Sequence, residues 1–312
     1  MQIRKANSTD SPSIINLLKA SLGESMIPKS EELWNWKHVA NPFGASPVLI
    51  AEDEGVICGV RVFLKWEFLQ GEKLIKACRA VDTAIHPDYQ EKGLFKNLTL
   101  SLIEDLKEEG IDLIYNTPNA QSSPGYLKMG WEKWGKLPLK MHFNFSLGKS
   151  KNQSQSNDWS SISSIIQKIE QFKFTSENIQ TNLIPGYIDW RYIACPLFPY
   201  EFISDGETYL LIYRIKVGKI GKELRIVDFF QLPDFAHNEK KQLNSRLKTA
   251  QKNESVRFTS FSGLQFHTEL PIEMGLMPVM SIGPDVTLRQ VTTTDDLLQK
   301  PWAWSLGDLE VF

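Results

Sequence analysis

The fold is decided by the segment Thr83–Phe95, which reads TAIHPDYQEKGLF. The stretch that leads into it, Lys73–Ile85, is rich in apolar and β-branched residues and predicts a strand. Leucines at every fourth position from 94 to 106 then predict a long amphipathic helix. The backbone N–H groups at the start of that helix form an anion-binding turn suited to a pyrophosphate, and Gly93 leaves room for close approach. The alternative is that Gly93 is only a turn residue before a helix that packs on the core.

Predicted strands and helices alternate on both sides of this segment. Runs rich in Val, Ile and Phe predict strands at 2–5, 47–51, 56–68, 73–85, 111–115 and, on either side of Pro138, within 131–145. Apolar residues at helical spacing predict helices at 14–22, 31–39 and 125–129, in addition to the one between Gly93 and Gly110. This order predicts an α/β fold of the α+β type, in which helices flank a central mixed sheet.

Length, charge and cysteine usage narrow the classes of function. The 312 residues are enough for about two domains. Lysine and arginine number 35 against 37 aspartates and glutamates, without a dense basic run, so we do not expect nucleic-acid binding. There is no run of 18 apolar residues and the N-terminus (MQIRKANSTD) is polar, so we expect neither a membrane span nor a signal peptide. The scattered Cys58, Cys78 and Cys195 favour neither disulfides nor a metal site and indicate a cytoplasmic location.

The second half of the chain repeats features of the first. Trp36-Lys37 corresponds to Trp190-Arg191, Val81-Asp82 to Val227-Asp228, and Lys128–Trp131 to Glu273–Leu276, at offsets of 154, 146 and 145 residues. The matches keep their order, which favours two copies of one fold over chance similarity. The polar segment 146–161 has almost nothing to bury and predicts a linker. We therefore expect two domains, 1–145 and 162–312, each with a central mixed sheet flanked by helices.

Two motifs at the expected separation resemble those of the GNAT N-acetyltransferase superfamily, over about residues 1–145. The first is an Arg/Gln-x-x-Gly-x-Gly/Ala loop between the fourth strand and the third helix, which Gln90–Leu94 fits. Phe95 departs from it, and would either push the pyrophosphate outward or point into the core beneath the helix. The second is an Asn near the end of the fifth strand, followed seven residues later by a Tyr on a short helix that ends in Lys-x-Gly-Phe. Here these are Asn119, Tyr126 and Lys128–Trp131.

The resemblance implies acetyl-CoA as co-substrate, with no metal, and suggests which residues bind it. The backbone of Thr83, Ala84 and Ile85 would pair with the pantetheine arm like an added strand, and its amides would polarise the thioester carbonyl. The pyrophosphate would be cradled by the loop, which comprises Gln90, Glu91, Lys92, Gly93, Leu94 and Phe95. Asn119 would hold the lower part of the cofactor, unless it is an ordinary turn or cap residue. Tyr126 would protonate the departing thiolate as general acid, unless it is an aromatic packed at a helix end.

The sequence does not fix the base that removes a proton from the acceptor ammonium. Asp82 lies on the fourth strand beside the expected acetyl position and could act through water, although its counterpart Asp228 favours a structural role. His86 is of a residue type that titrates near neutral pH, but its place at the turn before the loop favours a structural role. The terminal carboxylate of Phe312 is the third candidate, against the simpler interpretation of a tail that docks for stability.

The second half lacks the residues that this chemistry needs. The segment that corresponds to the loop, Phe235–Lys240 (FAHNEK), has no glycine at the required place, and Pro271 stands where Tyr126 would be. We therefore expect a degenerate GNAT-like domain that packs against the first and forms one wall of the acceptor pocket. Its tryptophans are expected in the core rather than stacked on a ligand: Trp190, Trp302 and Trp304.

These features predict an N-acetyltransferase that moves an acetyl or other short acyl group from CoA to a primary amine by direct attack in a ternary complex. The near-neutral net charge disfavours a strongly basic protein tail as the acceptor and favours a small amine such as an amino sugar, an amino acid or a polyamine. A homodimer is compatible with the sequence. The competing hypothesis is a non-catalytic acyl-CoA-binding sensor or a paired-domain scaffold.

Overall fold

The computed structural model describes residues 1–24, 27–144, 158–263, 272 and 283–309. Its strands are β1 (Gln2–Lys5), β2 (Val48–Asp53), β3 (Val56–Gln70), β4 (Lys73–Ile85), β5 (Leu113–Asn116), β6 (Glu132–Lys136), β7 (Leu139–Phe143), β8 (Gln180–Thr181), β9 (Glu201–Ser204), β10 (Tyr209–Gly218), β11 (Gly221–Gln231), β12 (Phe258–Ser262) and β13 (Asp285–Gln290). Its α-helices are α1 (Ser11–Leu22), α2 (Glu31–Trp34), α3 (Leu94–Glu108), α4 (Ser123–Lys128), α5 (Ser163–Gln171), α6 (His237–Asn253) and α7 (Leu306–Leu309). Two π-helical turns lie at Asn35–Val39 and Asp189–Ile193.

The predicted mixed α/β fold is confirmed. Helices α1 and α3 cover opposite faces of the first sheet, because alternate side chains of a strand point to opposite faces. Ile14 and Leu18 of α1 pack in the same cluster as Val60 and Val62 of β3. The leucine row of α3 packs in another cluster that includes Phe63. None of the helices in the described ranges is long and apolar enough to cross a membrane.

Two strands are exchanged between the two halves of the chain. The first sheet has the order β1-β2-β3-β4-β5-β13-β6, with β8 added to β3, and the second has the order β7-β12-β11-β10-β9. β4 and β5 are parallel in the first sheet, as are β11 and β12 in the second. The next strand along, antiparallel in both sheets, comes from the other half: β13 beside β5 and β7 beside β12. Residues 146–157 of the predicted linker lie outside the described residues, and a 3-10 turn begins at Trp159. Both sheets take strands from either side of this segment.

The repeated tryptophans meet each other at the contact between the halves. Trp36 Nε1 donates to the backbone oxygen of Trp190 at 2.6 Å, and Trp190 Nε1 donates to that of Trp36 at 2.7 Å. Their rings stack with centroids 5.4 Å apart. Trp190 and Trp304 are buried as expected, and Trp302 packs against the same core cluster. Each half thus uses the same residue in the same way toward the other.

The repeated aspartates also have matching partners. In the first half His38 Nε2 lies 2.9 Å from Asp82 Oδ2, and in the second the Tyr192 hydroxyl donates to Asp228 Oδ2 at 2.7 Å. His38 and Tyr192 each lie two residues after a member of the tryptophan pair. The third predicted match, Glu273–Leu276, and the predicted counterpart of Tyr126, Pro271, lie outside the described residues. That the second half is a degenerate copy stays a proposal, which these pairs support.

A buried carboxyl pair holds the segment before α7 against the second sheet. Ser305 connects the pair, because its hydroxyl donates to Asp228 Oδ2 at 3.1 Å and its amide donates to Asp308 Oδ2 at 2.7 Å. Burial raises the pKa of both carboxyls above the ordinary value of 3.8, and the charge of Asp308 raises the pKa of Asp228 further.

We expect this pair to make the protein less stable as the pH rises. Above the ordinary carboxyl pKa, the folded state keeps a proton that the unfolded state has released, so the free energy of unfolding falls until the folded-state carboxyls have ionised. We expect a fall on the order of 2 kcal/mol between about pH 5 and about pH 8 in urea unfolding, and a flatter profile for Asp228→Asn. The exposed Asp234→Asn is the control and should keep the wild-type profile. An unchanged profile in Asp228→Asn would contradict the assignment.

Candidate functional site

The two central strands of the first sheet diverge and open a cleft. β4 and β5 pair only over Ala77–Arg79 and Leu113–Tyr115, while β4 continues to Ile85. Beyond Arg79 the edge of β4 that faces away from β3 has no partner strand within the described ranges. A cavity of about 660 Å³ lies here, which is the size of a small-ligand site. The cleft therefore offers a free strand edge beside a cavity.

Most of the predicted site residues line this one cavity. They are Asp82, Thr83, Ala84, Ile85, Gln90, Phe95, Asn119 and Tyr126. Glu91, Lys92 and Gly93 lie in the turn at the start of α3, outside the cavity lining, and their contribution is their backbone amides. The side chain of Leu94 is 2% exposed and packs in the core beneath α3.

The turn before α3 presents a row of unused backbone donors. Within the described part of the chain, the amides of the six residues from Glu91 to Lys96 have no hydrogen-bond acceptor. Glu91 and Gly93 have φ values of +62° and +77°, so two left-handed residues shape the turn. Such a concave row of N–H groups at a helix start is suited to an anion.

The equivalent place in the second half is closed. There the side chain of Glu239 accepts a hydrogen bond from the amide of Ala236 at 3.1 Å, at the start of α6. A carboxylate from the protein itself thus occupies the position that an anionic ligand would take. This contrast supports an anion site in the first half and none at α6.

The sequence left two positions open for Phe95: outward, against the pyrophosphate, or inward, in the core beneath α3. The structure places it between them. Its ring lies edge-on to that of Tyr126, with centroids 5.5 Å apart. A Cβ at Gly125 would lie 3.1 Å from Phe95 Cε1, so Gly125 allows the phenyl ring to reach α4. The ring thus fills the gap between α3 and α4 and forms part of the cavity wall.

Asn119 acts as a turn residue in this structure. Its Oδ1 accepts hydrogen bonds from the amides of Gln121 and Ser122, at 3.0 and 2.8 Å, and from the hydroxyl of Ser122. These bonds organise the turn that precedes α4. The side-chain oxygen is therefore committed to the protein, and any contact with a ligand falls to the amide nitrogen of Asn119.

Tyr126 points its hydroxyl toward an arginine that the sequence analysis did not identify. Arg61 Nη1 donates to the Tyr126 hydroxyl oxygen at 2.8 Å, and the ring of Tyr126 packs edge-on against Trp131. The residue is 6% exposed, yet it lines the cavity. A phenol that lines the cavity while its ring is fixed on both sides is placed to act on a ligand there.

A buried ion pair occupies the position of the predicted base. Asp82 Oδ2 lies 2.6 Å from Lys37 Nζ and 2.9 Å from His38 Nε2. Burial raises the pKa of Asp82, but the charge of Lys37 and the hydrogen bond from His38 outweigh it and hold that pKa well below the usual carboxyl range. Burial also lowers the pKa of His38. A carboxylate so stabilised in its charged form is a weak proton acceptor.

Of the other two candidate bases, only His86 belongs to the described part of the chain. His86 Nδ1 accepts a hydrogen bond from the amide of Asp88 at 3.4 Å, at the start of the turn Pro87–Tyr89. This supports the structural role expected for it. The terminal carboxylate of Phe312 lies outside the described residues.

Sequence reasoning missed Arg61 and Lys37, and each had a signal. Arg61 is a charged residue inside the apolar run of β3, GVRVFL, where burial is expected on both faces of a central strand. Lys37 has a basic counterpart in the second half, Arg191, at the same offset as the tryptophan pair. A basic residue that recurs at corresponding buried positions of both halves indicates that each has a buried partner.

Comparison with known proteins finds a family model that matches the part of the chain carrying these features. Residues 2–134 match the family model described as an acetyltransferase (GNAT) domain. No curated protein matches the sequence. The matched range contains the free edge of β4, the donor turn and Tyr126.

Similar solved structures extend over most of the chain. One is a GCN5-related N-acetyltransferase from Anabaena variabilis ATCC 29413, with a TM-score of 0.65, 15% identity and coverage of 93% of this chain and 72% of that one. Another, from Enterococcus faecalis V583, is a conserved protein of unknown function described as a probable N-acyltransferase (TM-score 0.67, 14% identity, 93% and 72% covered). A third is Eis1 from Mycobacterium abscessus (TM-score 0.60, 12% identity, 94% and 74% covered). At these identities the likeness concerns the fold, and it includes the second sheet.

Proposed function

We propose that the protein transfers an acetyl or other short acyl group from acyl-CoA to a primary amine, and the match of residues 2–134 to the GNAT acetyltransferase domain model supports this. One observation carries the proposal: the free edge of β4 and Tyr126 line one cavity, and the six unused amides at the start of α3 lie beside it, where Gln90 and Phe95 form part of its wall. A strand edge pairs with an amide-containing arm, the amides bind a diphosphate, and a phenol can donate a proton.

The residues present fit acetyl-CoA, which supplies an acyl thioester when bound. The amides of Glu91–Lys96 would hold its pyrophosphate, and the backbone of Thr83–Ile85 would pair with its pantetheine arm. Gln90 and Phe95 form part of the cavity wall near this strand edge. Asn119 would contribute only through its amide nitrogen, because its oxygen caps the turn before α4.

We assign Tyr126 as the general acid and Asp82 as the anchor of a buried ion pair. The amine attacks the thioester carbonyl, and the sulfur that leaves receives the proton of the Tyr126 hydroxyl. The depressed pKa of Asp82 disfavours it as a base, so the acceptor amine would reach the thioester already deprotonated. The pH dependence of kcat/KM should then follow the basicity of the acceptor rather than that of a fixed protein group.

A small amine is the acceptor that this cleft favours. The cavity of about 660 Å³ must also hold the thioester end of the donor, which leaves room for a compact acceptor. An acyl-CoA sensor would bind the donor equally well but would need no phenol whose proton is available. The Tyr126 oxygen accepts a hydrogen bond from Arg61, which leaves the hydroxyl proton for a ligand, and this favours an enzyme over a sensor.

Two measurements test the proposal. Calorimetry with acetyl-CoA should give binding, and thiol release across a panel of amino sugars, amino acids and polyamines should give turnover with at least one member. Binding without turnover on the whole panel would support the sensor instead. If the folded protein does not bind acetyl-CoA, the proposals of an enzyme and of a sensor both fail.

A further inference from the structure

Arg61 is a buried cation for which none of the described carboxylates serves as a partner. It is fully buried on β3, and the register places it opposite the bulge at Asp82 and Thr83, because Val60 pairs with Ala84 and Val62 with Val81. It forms no salt bridge in the part of the chain that the structure describes, where its Nε and Nη2 also have no hydrogen-bond acceptor. The guanidinium carbon lies 4.3 Å from the centre of the Phe63 ring, but a buried cation with no described carboxylate partner is still costly for the folded state and calls for a role.

The bonds that Arg61 does form lead to Tyr126. Its Nη1 donates to the Tyr126 hydroxyl oxygen at 2.8 Å and also to the hydroxyl of Thr83. Its guanidinium carbon lies 5.4 Å from the centre of the Tyr126 ring. A guanidinium is a donor only, so the phenol oxygen must be the acceptor in this bond. The proton of Tyr126 is therefore not used on Arg61, and no described residue accepts it.

We propose that Arg61 is a positioning residue that keeps Tyr126 oriented as a proton donor toward the cavity and neutralises the phenoxide that forms on donation. This inference rests on the proposed function. When the C–S bond breaks, its electron pair goes to sulfur, and the O–H bond of Tyr126 breaks to form the S–H bond of free CoA. The new amide nitrogen then releases a proton, which reprotonates the phenoxide. The net reaction converts amine and acyl-CoA to amide and CoA.

The surroundings explain why a cation is needed at this point. Tyr126 is enclosed by Phe95 and Trp131, and in such an apolar setting a phenoxide without a counter-ion is strongly disfavoured. The Arg61 bond becomes a bond between opposite charges once the proton leaves, and such bonds are roughly twice as strong as neutral ones. The unpaired charge of the resting state thus gains its partner only during the reaction, as expected of a preorganised site.

The test compares two ligands that differ only at sulfur: CoA and desulfo-CoA, in which hydrogen replaces the thiol. Calorimetry on the full chain should show that the wild type binds CoA several-fold more tightly. We expect that preference to disappear in Tyr126→Phe, in Arg61→Met and in the double variant alike. Arg61→Lys, which keeps the charge, should retain part of it. Arg214→Met, a buried arginine of the second sheet, is the control and should keep the preference.

Turnover supplies the second arm of the test. With an active acceptor, Arg61→Met should lower kcat about tenfold to a hundredfold with little change in the KM of the acceptor, and should cause no further loss in the Tyr126→Phe background. Multiplicative losses, or an unchanged CoA preference in folded Arg61→Met, would overturn the proposal. If no amine is acylated but the CoA preference depends on both residues, the coupling of Arg61 to Tyr126 stands and the enzymatic function falls. If Arg61→Met does not fold, Arg61→Lys decides by the same comparison.

Discussion

Replacing Tyr126 by Phe should lower kcat about a hundredfold while leaving the affinity for acetyl-CoA within about twofold of the wild type. The change removes the proton donor and nothing else of substance, because the ring keeps its edge-on contacts with Phe95 and Trp131. Arg61 Nη1 retains the hydroxyl of Thr83 as a partner. Stability should therefore change little, and the loss should appear in kcat rather than in KM.

Steady-state thiol release and calorimetry on the same preparation measure this effect. Tyr209→Phe is the matched control: its hydroxyl is buried in the second sheet without a hydrogen-bond partner among the described residues, so its removal should affect neither quantity. A Tyr126→Phe variant with wild-type kcat would remove Tyr126 as the acid and leave the cleft as a binding site only.

Replacing Asp82 by Asn should destabilise the protein by about 3–5 kcal/mol. The substitution removes the carboxylate that neutralises Lys37, whose side chain is 2% exposed, and it weakens the bond to His38. Removing both charges in Lys37→Met/Asp82→Asn should restore more than half of the lost stability, because a buried ion pair replaced as a whole costs far less than one that is broken.

Urea unfolding of both single variants and the double variant measures the coupling between Lys37 and Asp82. The kcat of the double variant then separates the two roles proposed for Asp82. We expect kcat to recover together with stability, since the carboxylate serves the ion pair. A loss of about a hundredfold that persists in the stable double variant, with a displaced pH profile, would instead identify Asp82 as the base.

The sequence was sufficient for the features whose signal is local. The strand, the turn and the leucine row around Gly93 lie within one continuous segment, so their order predicted the donor turn at the start of α3. Tyr126 was identified through the resemblance of Asn119, Tyr126 and Lys128–Trp131 to a GNAT motif. The partners of these residues could not be predicted in the same way, because Arg61 reaches Tyr126 across 65 positions of the chain. Likewise, the alternatives for Asn119 and Phe95 depended on side-chain directions that no spacing specifies.

The strand exchange also lay beyond what the sequence could predict. The sequence predicted a strand after Pro138, within 131–145, but the edge that a strand joins depends on competition between complete sheets. β7 leaves the sheet of its own half for β12, and β13 takes the place beside β5. The reciprocal hydrogen bonds between Trp36 and Trp190 also join the two halves of the chain.

The exchange has a consequence for how this architecture can be inherited and engineered. A gene fragment that encodes only residues 1–145 lacks the strand that sits between β5 and β6, and its product would expose the edge of β5 just below the cleft. Such a fragment is therefore incomplete as a folding unit, because the first sheet takes a strand from the second half. A shortened version of this chain would have to include β13, joined through an engineered hairpin at the place where β7 now follows β6.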